Sequence, residues 1–124
     1  MATQTSIDML QIAAAAADAT GAEDLVALDV SEPLPLVDIF LLATGRSERN
    51  VAAIADEIED KLHEAGHKRL RREGRSESRW VLLDFGDLVV HVFHQEERSF
   101  YALERLWKDC PVVPIDLPAA RSVD

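Results

Sequence analysis

A chain of 124 residues with 48% apolar side chains has room for one domain with a real hydrophobic core. Its formal net charge of −10 sets the molecule as a whole against nucleic-acid phosphates, and no apolar run approaches the ~18 residues of a membrane span. No Lys or Arg precedes Arg46, which argues against a signal or transit peptide. Cys110 stands alone, so no intrachain disulfide is expected and a reducing, cytoplasmic location is the natural reading.

In chain order, residues 5–20 read as a helix. Ile7, Leu10, Ala14 and Ala17 share a stripe, a run of alanines favours helix locally, and Gly21 supplies a stop. Leu25–Val30 reads as a strand ended by Ser31-Glu32-Pro33. Leu36–Thr44 is nearly all apolar past Asp38 and reads as a central strand. Gly45 breaks it. Ser47 then caps a helix to about Ala65, with Val51, Ile54, Ala55, Ile58, Leu62 and Ala65 as its apolar stripe and Gly66 at its end. Lys68–Glu73 fits a polar edge strand, followed by a loop over Gly74–Arg79.

Two apolar runs, Trp80–Phe85 and Leu88–Phe93, flank Gly86-Asp87. A two-residue loop with Gly first fits a type II′ hairpin, because that position needs φ > 0. Apolar residues on both faces of both strands predict a sheet covered on at least part of each face. A further helix carries Phe100, Leu103, Leu106 and Trp107 at helical spacing. Pro111, Pro114 and Pro118 then exclude helix, so 110–124 reads as an extended, partly disordered tail. The order α-β-β-α-β-β-β-α predicts one α/β domain over residues 1–109, a mixed five-stranded sheet with helices packed on it, and a Pro-containing tail. Strand–helix–strand over 36–73 suggests a right-handed parallel crossover.

The search for chemistry returns little. Asp84-Phe85-Gly86 spells a kinase tripeptide without the kinase's other motifs. Asp84 and Asp87 flank a hairpin tip without a third acidic partner, which suits turn aspartates better than a metal pair. His91 and His94 are an odd number apart on a strand and point to opposite faces. Gly66 separates His63 from His67. Thr44-Gly45-Arg46-Ser47 lacks the spacing and lysine of a P-loop. No catalytic, cofactor-binding or metal residues are predicted, and the chain is not expected to be an enzyme. Lys68, Arg69, Arg71, Arg72, Arg75 and Arg79 make up nearly half of the 13 basic residues. They fit either a charged edge or a local RNA-phosphate contact. Trp80 and Tyr101, beside Asp84 and Arg98, fit either core or a protein-binding patch.

At these residues the chain resembles the ribosomal silencing factor family, also called RsfS or Iojap. The resemblance rests on Ala27-Leu28-Asp29-Val30, Asp38 through Ser47, Ile54-Ala55-Asp56, Glu73-Gly74, Trp80 through Asp87, His91-Val92-Phe93, and Arg98 through Trp107. It covers about residues 5–109 in order. It departs at Phe85, where Tyr or Leu is common, and at Asn50, where His or Gln is frequent. What the resemblance implies is a nucleotidyltransferase-like α/β fold without a working carboxylate set. It further implies docking on protein fourteen of the large ribosomal subunit, steric blocking of small-subunit joining, and repressed translation in starved cells. Carried over as interface residues are Trp80, Asp84, Arg98 and Tyr101, with His91 and Phe93. A basic ribosomal partner suits an acidic protein, and Lys68, Arg69, Arg71 and Arg72 could meet nearby rRNA. A homodimer is a further expectation for the free protein. Competing readings are a large-subunit assembly factor and a nucleotidyltransferase using Asp84 and Asp87.

Overall fold

The computed structural model describes residues 2–74, 79–96 and 109–116. Helix α1 spans Gln4–Ala19, and its Thr3 cap accepts the Ser6 N–H. It ends where Gly21 takes φ +85°. Ala22 N–H then reaches Ala17 O at 2.9 Å and Gly21 N–H reaches Asp18 O at 3.0 Å, which satisfies carbonyls the helix would otherwise leave bare. Helix α2 spans Glu48–Glu64, capped by Ser47 through the Asn50 N–H at 3.0 Å. Its buried stripe is Val51, Ile54, Ala55, Ile58 and Leu62, as the spacing predicts, but Ala65, expected on that stripe, is the C-cap residue and is exposed.

The strands are β1 (Glu23–Asp29), β2 (Ile39–Gly45), β3 (Arg71–Glu73), β4 (Trp80–Asp84) and β5 (Leu88–His94). They form one sheet in the order β1-β2-β5-β4-β3. Only β2 and β5 run parallel; the other neighbours are antiparallel. Both helices pack on one face, where Leu10, Ala17, Ile54 and Ile58 meet Ala27, Leu41, Val81, Leu83, Val90 and Val92. The alternate strand residues, Val26, Leu28, Phe40, Leu42, Trp80 and Phe93, form a second apolar layer on the opposite face. The mixed five-stranded α/β architecture is therefore the expected one.

β2, α2 and β3 form a parallel crossover, as expected, because two antiparallel pairings from β5 leave β3 parallel to β2; the two strands are not neighbours. The chain leaves β2 through α2 for β3, yet β2's parallel neighbour is β5, and β3 lies at the far edge against β4. The physical reason is burial. β5 is buried from Leu88 to Phe93 and fills the central position, whereas Arg71-Arg72-Glu73 is short and polar and suits an edge. The second strand also starts later than its apolar run. Residues 33–37 fold as a turn, with Leu34 N–H on Val30 O at 2.9 Å and Val37 N–H on Leu34 O at 3.2 Å. Leu36 is left 86% exposed. At the hairpin, Gly86 has φ +90° and Phe85 N–H reaches Leu88 O at 2.9 Å, as a two-residue loop requires. The helix expected over Phe100–Trp107 lies outside the described residues. Residues 111–116 run beside β1 and across α1.

Candidate functional site

The sheet face opposite the helices brings most of the singled-out side chains together. Cross-strand register sets them in rows: Asp84–Val89–Phe40, Leu82–His91–Leu42 and Trp80–Phe93–Thr44. In the last two rows, Trp80 stands diagonal to His91. The half-buried Trp80 donates its indole N–H to His91 Nδ1 at 3.2 Å. Its ring also lies 5.0 Å from Phe93, tilted by 40°. His91 in turn meets Phe40 edge-on at 4.9 Å and stacks near-parallel to Phe93 at 6.0 Å. Contacts of these kinds fix ring orientation beyond simple burial.

The indole can only donate, so Nδ1 must accept and the neutral ring carries its proton on Nε2. Nε2 is buried without a hydrogen-bond partner among the described residues. Burial pushes the His91 pKa down to about 4, because the cation has no solvent there. The imidazole is therefore neutral near pH 7 and works as an acceptor that holds Trp80.

His91 is 6% exposed and Phe93 is fully buried. Both lie beneath the surface, under Trp80. Phe40 and Trp80 are the half-buried members of this aromatic set, and Trp80 borders open space. With Leu82, Glu73 and Gly74 it lines a shallow groove of about 330 Å³. Gly74 is essential to that wall: it has φ +78°, and a Cβ there would sit 1.9 Å from the Trp80 carbonyl oxygen. No sequence signal points to this approach. The Trp80–His91 diagonal, by contrast, could be counted from the two-residue loop, which fixes the register of both strands.

Asp84 is half-buried and turned into the hairpin, its Oδ1 accepting Gly86 N–H at 2.8 Å. Asp87 is exposed, and its carbonyl accepts Asp38 N–H and Ile39 N–H at 2.9 and 3.0 Å. Among the described residues no group of three or more His, Cys, Asp or Glu could hold a metal. Cys110 is half-buried, and burial together with Asp29, Asp109 and Glu32 pushes its thiol up, away from thiolate chemistry. Arg98 and Tyr101 lie outside the described residues, as does Arg75.

The basic strip is largely committed within the chain. Arg72 Nη1 sits 2.9 Å from both Asp56 and Glu59 on α2. Burial opposes its charge, but those carboxylates outweigh it and hold the guanidinium above its ordinary value. Arg69 pairs with Glu59 at 3.2 Å, Arg71 with Glu73 at 3.2 Å, and Arg79 with Glu96 at 2.9 Å and Glu48 at 3.4 Å. The pairs of Arg69, Arg72 and Arg79 with Glu59, Asp56 and Glu48 tie the β3 edge and the start of β4 to α2. Lys68 is exposed.

Comparison with known proteins gives this arrangement a context. The family model described as "Ribosomal silencing factor during starvation" matches residues 3–124. A relative from Bacillus subtilis named ribosomal silencing factor RsfS is 50% identical over 108 residues, 87% of this chain and 92% of that protein. A crystal structure of a Bacillus halodurans protein is 44% identical with a TM-score of 0.78, covering 88% of this chain and 99% of that one. A Chromobacterium violaceum crystal structure is 33% identical with a TM-score of 0.80, covering 95% and 98% of the two chains.

Proposed function

The chain belongs to the ribosomal silencing factor family, and from that premise we propose that it silences ribosomes by binding rather than by catalysis. In this reading it docks on protein fourteen of the large ribosomal subunit and leaves no room for the small subunit to join. Translation then falls when nutrients run out. The observation that carries the reading is the anchored Trp80: half-buried at a groove, hydrogen-bonded by His91 and packed on Phe93. A rigid aromatic loses little freedom on binding, which suits Trp and Tyr to carrying interface energy. Asp84, Arg98 and Tyr101 are proposed as further contact residues, and His91 and Phe93 support Trp80 from below. Lys68 is the part of the basic strip best placed for a contact with rRNA phosphate, since Arg69, Arg71 and Arg72 already face carboxylates.

Blocking by bulk needs only an interface of standard size, about 1,600 Å² in total. The test is co-sedimentation with purified large and small subunits. The parent protein is expected with the large subunit only. Trp80→Ala should weaken that binding at least about tenfold, a loss of about 1.4 kcal/mol or more. Trp80→Phe, which keeps a ring in the site, should retain part of it. A Trp80→Ala/Tyr101→Ala protein that is folded by NMR and still binds normally would refute the reading.

A further inference from the structure

β1 is an outer strand of the sheet, so its far edge exposes backbone donors and acceptors that need a partner. Residues 111–116 provide one, thinly. Asp29 N–H donates to Pro111 O at 2.8 Å and Val113 N–H donates to Ala27 O at 2.8 Å, around an antiparallel bridge between Leu28 and Val112. Pro111 has no N–H to return, and Pro114 fixes φ in the middle of the segment. The segment then leaves β1 for α1. There the Gln11 amide takes over, its Nε2 donating to Pro114 O at 3.1 Å and its Oε1 accepting Asp116 N–H at 2.7 Å. Both of these bonds are exposed to solvent. Val113 and Ile115 are only partly buried against the core, and Val112 is 69% exposed. A seam held, among the described residues, by these few bonds is open to exchange for a longer strand.

Charge indicates what could replace it. Among the described residues, α1, β1, the loop to β2 and segment 109–116 contain no Lys or Arg. Glu23, Asp24, Asp29, Glu32, Asp109 and Asp116 flank the seam. A second copy pairing its own β1 antiparallel about Val26 would set Glu23 against Asp29 of that copy, and like charges directly opposed are destabilising. A basic extended segment meets no such repulsion and is steered toward the edge.

We propose that residues 111–116 are a displaceable strap, and that β1, once released, accepts a basic extended peptide by strand addition. Three strand spacings, roughly 14 Å, separate β1 from the Trp80 strand, so this surface stands apart from the ribosomal reading. The test uses the full chain and two variants that loosen the strap, Gln11→Ala and Ile115→Ala. Probes are a synthetic alternating Lys–Val peptide and a Glu–Val control, followed by amide NMR and hydrogen exchange. In both variants the Asp29 and Val113 amides should exchange about tenfold faster, the change expected for losing the Gln11 hydrogen bonds or part of the Ile115 burial, while the β5 amides keep their protection. The Lys–Val peptide should shift the Ala27 and Asp29 resonances, bind the variants more tightly than the parent, and weaken as salt rises. Unchanged exchange in either variant overturns the proposal. So does equal binding of the Glu–Val control, binding that leaves Ala27 and Asp29 unmoved, or dimerisation of the variants through β1.

Discussion

His91 is neutral in the folded chain because its site has no water for the cation, and that neutrality has a thermodynamic sign. Its pKa moves from 6.5 to about 4. The unfolded chain therefore binds the proton first, and stability rises with pH between those values and is flat above them. The shift corresponds to about 3 kcal/mol lost on going from pH 7 to pH 4. Urea unfolding across that range should show the loss, and His91→Phe should flatten the slope even though it leaves the Trp80 N–H without its acceptor. Below this window Asp38 and Asp29 add their own losses. Backbone and side-chain hydrogen bonds from Thr3 and Ser6 hold Asp38 below the usual carboxylate range. At Asp29 burial works the other way, but hydrogen bonds from Ser31 and Ala2 prevail. Two glycines make a second comparison at this scale. Gly66 and Gly74 both have positive φ, but a Cβ at Gly66 meets nothing within 4 Å while one at Gly74 strikes the Trp80 carbonyl. Gly66→Ala should cost about 1 kcal/mol, and Gly74→Ala about 3 kcal/mol, read from urea midpoints. From sequence the two look alike; only the strand that returns beside Gly74 separates them.

Among the elements, α2 was the most legible. Its cap at Ser47, its stripe from Val51 to Leu62 and its stop at Gly66 are local signals, and all three stand where they were read. The hairpin was legible for the same reason: Gly86-Asp87 and the apolar runs beside it are local. β3 was read correctly as an edge, yet what holds it there was not legible. Arg72 reaches back to Asp56 and Glu59, residues 16 and 13 positions earlier. Its guanidinium is only 22% exposed on the side chain, so the pair is partly shielded from solvent. Arg72→Ala is expected to cost about 1 kcal/mol, with loss of hydrogen-exchange protection in β3 before any in β5. Equal loosening of both strands would show that the bridges do not pin the edge. The turn at 33–37 was missed because Leu34, Leu36 and Val37 continue the apolar run of β2, and the two prolines beside them decide the backbone instead.

At the scale of the molecule, charge is unevenly spread. The charged residues before Arg46 are all acidic, while Arg69, Arg72 and Arg79 are paired with α2 and Glu96, and Arg71 with Glu73. Self-repulsion on the acidic side should therefore outweigh what the exposed ion pairs contribute. Raising salt shortens the screening length from about 30 Å at 0.01 M to about 3 Å at 1 M. Thermal stability is expected to rise over that range, measured by calorimetry in sodium chloride; a fall would mean that the bridges at β3 dominate. The sequence by itself determined the two described helices, the five strands, the mixed sheet and the family, because caps, periodicity and motif spacing are properties of neighbouring residues. The tertiary structure alone decided that β5 rather than β3 pairs with β2, that His91 lies neutral beneath Trp80, and that the segment after Cys110 covers the edge of β1. Each of these depends on which distant surfaces exclude water together, and burial of that kind is set by the whole chain at once.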